Sequence, residues 1–193
     1  YVLQKSDEAD RADARSILAA QGKPSLDLVL SLDVAEYTRR ADSFRRLKEE
    51  GLARYVGVAR HRAEFHEPMM ALMKAGAVDF VQVNYSMLEP EAGERLLPLA
   101  QDLGVAILIN RPFVNGDYFR LVKGRPLPEW AAEFDAHSWA QFFLKFIISH
   151  PAVTCAIPAT SQVDHLVENM GAAYGRLPDQ AMRLEMARYV RRL

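Results

Sequence analysis

One cysteine, Cys155, in 193 residues excludes an intrachain disulfide framework, so the expected compartment is a reducing one, the cytoplasm. No apolar run approaches the roughly 18–20 residues that cross a bilayer, so no membrane partner is expected. Charge of neither sign dominates. The 24 Lys and Arg stand against 25 Asp and Glu, a net −1, which argues against nucleic acid or an anionic membrane surface as partner. No expected strand runs into a G-x-G-x-x-G turn, which counts against a Rossmann dinucleotide domain. His61 and His66 lack the i, i+4 spacing of a helical zinc pair, and no metal is expected. The chain opens on Tyr1 with no initiator Met and no signal-like segment, which leads to the expectation of a fragment or a processed product.

What is present is alternation. "YVLQK" (1–5), "LDLVLSL" (26–32), "RYVGVA" (54–59), "DFVQVNY" (79–85), "VAILIN" (105–110) and "VTCAIP" (153–158) are short, almost continuously apolar runs, as strands buried on both faces must be. Amphipathic stretches lie between them. "YTRRADSFRRLKEEG" puts Phe44 and Leu47 on one face and stops at Gly51. "EAGERLLPLAQDLG" turns Leu96, Leu97, Leu99, Ala100 and Leu103 inward, with Pro98 starting or kinking the helix. "SWAQFFLKFIISH" is apolar on most sides and reads as a buried helix. "GDYFRLVKGRPLPEWAAEF" reads as an inserted loop with a short helix, and two helices close the chain. Strand, helix and strand at roughly 25-residue spacing is the mark of βαβ units and a parallel sheet. Six such units fall short of the eight strands of a closed barrel and leave two open edges, which need covering.

Four strings in order, "LKEEGLARYVGVARH", "DFVQVNYSMLEPEAGERLLPLAQDLGVAILINRPF", "SWAQFFLKFIISHPAVTCAIPATS" and "HLVEN", resemble the aldo-keto reductase family, from its third barrel strand to its C-terminus. The resemblance implies an α/β fold of the (β/α)8 TIM-barrel type, here incomplete: about six β/α units in one domain over 1–193, the first two units missing. It also implies an NADP or NAD cofactor, a small-molecule carbonyl substrate, and reduction by hydride with a Tyr proton donor tuned by a Lys and an Asp. A nearby ammonium makes a phenol easier to ionise, which is why such a donor needs a Lys beside it.

By the same resemblance Lys5 matches the catalytic Lys, while Leu32 stands where a carbonyl-orienting His belongs. The matching Asp and Tyr fall in units that these residues do not include. On the cofactor side Gln82 matches the residue that binds the nicotinamide amide, and Arg111, Phe113 and Gly116 fall in the pyrophosphate-side loop. Thr160 matches a phosphate-binding Ser, His165 a basic position, and Glu168 and Asn169 the pair that contacts adenine. Ala59, Arg60, Asn110 and Ala159 replace groups that the family uses, Ala159 a Lys on the 2'-phosphate. The residues give other readings of their own. Ser161 with Asp164 fits a capping box. Cys155 reads as a small core residue, and the Met residues of "EPMMALMKAG" read as packing. His150 suits a helix end. Asp33 with Glu36 is a substitute acid pair, and Tyr118, Phe119 and Trp130 form an apolar lid.

Three functions stay open on these residues. One is an NAD(P)H-dependent oxidoreductase whose catalytic set is degraded. A second is a non-catalytic binding or regulatory relative, a pseudoenzyme. The third is a partial barrel completed by a partner or by self-association as a homo-oligomer.

Overall fold

The computed structural model describes residues 7–193, so the expected first strand and Lys5 lie outside the described residues. From there helices and strands alternate: α1 Asp7–Gln21, β1 Leu26–Ser31, α2 Val34–Arg39, α3 Ala41–Glu49, β2 Ala53–Ala59, α4 His66–Lys74, β3 Phe80–Asn84, α5 Leu96–Leu103, β4 Ala106–Asn110, α6 Asp117–Leu121, α7 Trp139–Ile148, β5 Val153–Ala156, α8 Val163–Gly171 and α9 Gln180–Arg191. The strands form one sheet in the order β1-β2-β3-β4-β5, the sequential order that β/α units produce. Among the described residues no helix is long and apolar enough to cross a membrane. Two compact units divide the chain: the described residues up to Val83 with Leu99–Ile107, and Asn84–Pro98 with Leu108–Leu193.

In the first unit β1 and β2 pair in parallel from Leu26 opposite Ala53 to Ser31 opposite Val58, and β2 and β3 from Gly57 opposite Phe80 to Ala59 opposite Gln82. Val29, Val56, Val58 and Val81 are buried in these strands, as their β-branched stiffness suits. Met69, Met70 and Met73 of α4 are buried too, so the methionine cluster is packing. The single expected helix around Phe44 is two. The backbone leaves helical geometry at Arg40 (φ −115°), and Tyr37 and Phe44, both buried, stack at 4.3 Å. Asp33 caps α2, its Oδ1 accepting from the Glu36 N–H at 2.9 Å, and that bond first of all holds its carboxyl below the usual range. Glu36 accepts from Arg40 Nη1 at 2.9 Å. Cap and ion pair thus account for both carboxylates, and they do not form a substitute acid pair. Asp79 pins the entry to β3, accepting from Lys48 Nζ at 2.7 and 2.8 Å and from the Val56 N–H at 2.9 Å. Pro98 lies in the first turn of α5, where a missing N–H costs nothing. Leu103 is 45% exposed rather than inward, because the helix ends there.

In the second unit α7 is buried along most of its length, as expected. Ser138 caps it, accepting from the Gln141 N–H. Tyr118 is buried and stacks on Phe143 at 4.0 Å, and its hydroxyl accepts from the Leu88 N–H at 3.0 Å. Trp130 packs against Phe134, Phe142 and Tyr189. So the expected lid separates: Tyr118 is a packing group, Phe119 lines a cavity with Phe113 and Trp139, and Trp130 lines a different one with Phe134 and Leu177. Cys155 is exposed, not core. β5 ends the sheet, and an edge strand leaves part of its surface uncovered. His150 turns Nδ1 to the Ala152 N–H at 3.1 Å, a local cap at the end of α7.

Candidate functional site

The backbone after β4 is strained. Arg111, Val114 and Asn115 hold φ of 47°, 49° and 54°, and Gly116 holds 91°. A left-handed β-branched residue costs on the order of 1–3 kcal/mol and persists where the surroundings over-determine it. Here Val114 and its neighbour Pro112 are buried. The Arg111 Nε donates to Asn115 Oδ1 at 3.2 Å, and its Nη2 lies 3.8 Å from Glu89. The loop thereby turns Phe113 onto Phe119, their ring centroids 5.0 Å apart.

These two rings line a cavity of about 750 Å3 together with Trp139, Thr160, His165, Glu168 and Asn169. The start of α8 forms one side of it. Its N-cap is Gln162, which makes no side-chain cap bond, while Thr160 Oγ1 accepts from the Gln162 N–H at 3.1 Å. The expected capping box of Ser161 and Asp164 is therefore not formed: the helix starts one residue too late for Ser161 to cap it. Its first-turn N–H groups consequently have no side-chain cap, the arrangement that suits an anion, although Asp164 stands in that same turn. Asn169 is buried, and Glu168 gives its carbonyl to Gln141 Nε2 at 3.3 Å, fixing the face of α8 toward α7.

Of the residues expected at a cofactor, Phe113, Thr160, His165, Glu168 and Asn169 come together in this one cavity. Arg111 and Gly116 belong to its neighbouring loop without lining it. Gln82 lies in β3, in the first unit, its carbonyl accepting from the Arg60 N–H at 2.9 Å. Leu32 directly follows β1 and is 38% exposed. Sequence reading missed Trp139, His137 and Arg125, which also line the cavity. Trp139 Nε1 donates to the Arg125 carbonyl at 2.9 Å and so ties the long loop to α7. The one signal available was Ser138, a helix-capping residue placed just before an aromatic. The cavity offers three aromatic surfaces, an amide, a carboxylate and a helix start without a side-chain cap. That donor set fits the adenine and phosphate end of a dinucleotide. Among the described residues no group of His, Cys, Asp and Glu is placed to hold a metal.

The sequence model of the aldo/keto reductase family matches residues 5–185. An uncharacterized oxidoreductase of Schizosaccharomyces pombe is 28% identical over 133 residues, covering 66% of this chain and 39% of that protein, so the match spans about two fifths of its relative. The holo form of aldo-keto reductase AKR11C1 from Bacillus halodurans superposes with a TM-score of 0.74 at 19% identity, covering 97% of this chain and 68% of its own. An aldo/keto reductase from Klebsiella pneumoniae, solved in complex with NADP and acetate, gives 0.75 at 20%, covering 94% and 65%. At such identity the likeness is one of fold: an α/β chain of the (β/α)8 type, with the barrel incomplete.

Proposed function

The chain belongs to the aldo/keto reductase family, and from that premise we propose that it keeps the nucleotide end of an NAD(P)H-dependent carbonyl reductase while its catalytic set is degraded. The observation that carries this reading is the 750 Å3 cavity, which collects Phe113, Thr160, His165, Glu168 and Asn169. In this reading Asn169 and Glu168 take the adenine. Thr160 and the α8 N–H groups take a phosphate, with His165 beside them. Phe113, Phe119 and Trp139 exclude water. The cofactor, when bound, supplies a hydride to a small-molecule carbonyl. Lys5 and Gln82 are the matching catalytic and nicotinamide-side residues, and Arg111 and Gly116 shape the loop. Leu32 has no proton or charge to offer a carbonyl oxygen, so orientation there is lost. We place the whole chain in one domain and in the cytoplasm.

Trp139 reports on the cavity. Titration with NADPH or NADH should quench its fluorescence with a Kd of roughly 0.1–1 mM, and the two cofactors should differ by less than about tenfold. Ala159 offers no cation to a 2'-phosphate, and Asp164 opposes one. No quenching at several millimolar of either cofactor would falsify the proposal.

A second observation bears on assembly. Val163, Leu166, Val167 and Met170 form an i, i+3, i+4, i+7 stripe on α8, and all four are exposed, Val163 by 74%. Such a stripe belongs against another element, and the β5 edge adjoins it in sequence. Self-association through this face would cover both. The solution mass should then be that of a dimer, with the Cys155 thiol slow toward a disulfide reagent. A monomer with a freely reactive thiol overturns self-association and leaves the nucleotide reading untouched.

A further inference from the structure

A second cavity in the same unit, of about 270 Å3, shares no residue with the first. Its polar lining is Tyr85, His150, Gln180, Arg183 and Arg191, and no Asp or Glu contributes to it. Arg183 Nη2 donates to Tyr85 Oη at 2.5 Å, and its guanidinium lies 5.1 Å from the centroid of the Phe146 ring. The Arg183 Nε is buried with no acceptor among the described residues. A buried donor left unmade costs about 1–3 kcal/mol, and more on a charged group.

The remaining groups donate as well. His150 uses Nδ1 to accept the Ala152 N–H at 3.1 Å, so its neutral ring carries the proton on Nε2. Burial first, then the charge of Arg183, pushes its pKa down to about 4, so at neutral pH it is an uncharged donor. Tyr85 accepts from Arg183 and keeps its own proton to give; burial raises its pKa despite that guanidinium. The cavity therefore presents two guanidinium charges and several N–H and O–H groups, with the Gln180 amide oxygen its one strong side-chain acceptor. Its other walls, Met87, Phe146 and Leu184 among them, are apolar.

We propose that this cavity binds a small carboxylate carrying a short apolar chain. The guanidinium of Arg183, with one arm held by Tyr85, and that of Arg191 supply the charge and the N–H donors that a planar carboxylate takes. The volume exceeds what a bare ion needs, and the apolar walls take the chain. An inorganic phosphate would fill the charged end and leave those walls wet. Nothing in the proposed nucleotide site is required for this binding.

Butyrate, acetate, inorganic phosphate and butyramide, titrated separately against the full chain by calorimetry and by imidazole NMR, test it. Butyrate should bind with millimolar affinity, roughly tenfold tighter than acetate for its two added methylenes. It should also bind more tightly than phosphate, and butyramide should not bind. On saturation with butyrate the His150 pKa should climb from about 4, because the carboxylate offsets the field of Arg183. Arg183→Met, which keeps the stem on Phe146, should weaken butyrate by roughly tenfold or more. Should that variant not fold, Arg191→Gln on the exposed face of α9 should weaken it several-fold. Phosphate binding tighter than butyrate, undiminished binding in the folded variant, or no response at tens of millimolar butyrate would each overturn the proposal.

Discussion

Gly57→Ala should abolish the fold of the first unit. Gly57 lies in the middle of β2, opposite Phe80 of β3. A methyl group built there meets the Phe80 carbonyl oxygen at 2.1 Å, its carbon at 2.9 Å and Leu30 Cδ2 at 3.0 Å. The first two atoms are backbone in a paired strand, so no rotamer change relieves them and the ladder itself must part. Overpacking against a flexible side chain typically costs 1–3 kcal/mol; parting a central ladder costs on the order of 4 kcal/mol or more. That is a large share of the roughly 5–15 kcal/mol that holds an ordinary domain together, and here it falls on one unit of the chain. Gly104→Ala supplies the contrast. That residue has a φ of 67° and nothing within 4 Å, so only the left-handed backbone is penalised, by about 1 kcal/mol. Urea unfolding followed by circular dichroism should show a small midpoint shift for Gly104→Ala. Gly57→Ala should show no cooperative transition in the far-ultraviolet signal of its unit. A Gly57→Ala protein with a near-normal midpoint would mean that β2 and β3 are not paired as described. The same pairing sets Gln82 opposite Ala59, so the loss would reach the expected nicotinamide side as well.

The strands were legible because burial on both faces forces continuous apolar runs. All five described strands fall within the expected runs, to within one residue at their starts and two at their ends. Helix α1, with its alternating acids and bases, carries a weaker signal and went unforeseen; among the described residues Ala14 and Leu18 are its buried side chains. Cys155 was misjudged because an edge strand and a central strand share the same composition, and only the sheet order separates them. The capping box failed on a shift of one residue, a scale on which helix starts are poorly specified by local sequence. Five cofactor-side residues were found together because three lie on one helix turn or two and the motif fixes their spacing. Trp139, Arg125 and the partnership of Tyr85 with Arg183, 98 positions apart, depend on tertiary packing, which no local pattern encodes.

Lys145→Ala is the second large effect, at about 3 kcal/mol. The residue sits on the buried side of α7 with no exposed surface. Its ammonium donates to the Tyr174 carbonyl at 2.6 Å and to the Arg176 carbonyl at 2.9 Å. Burial lowers its pKa, and the field of Asp135 works the other way. Asp135 is itself held well below the usual carboxylate range, first by the Arg176 side chain at 2.7 Å and then by the Arg176 N–H at 2.8 Å. The turn between α8 and α9 is thus gripped from both sides by α7 and the loop before it. Alanine removes three buried methylenes, at about 0.8 kcal/mol each, and leaves two carbonyls without their donor. The desolvation cost of the ammonium is recovered, which keeps the total near 3 rather than 5 kcal/mol. Lys145→Met separates the contributions. It keeps the stem and should lose only about 1 kcal/mol, the net value of the two hydrogen bonds after the desolvation saving. Amide exchange at Arg176, whose N–H bonds to Asp135, should accelerate in both variants, since both release the turn. If Lys145→Met were as destabilising as Lys145→Ala, the charge and not the packed stem would hold the turn. Burial lowers the lysine's pKa on folding, so stability should rise as pH climbs through that lowered value; a fall there would likewise assign the grip to the charge.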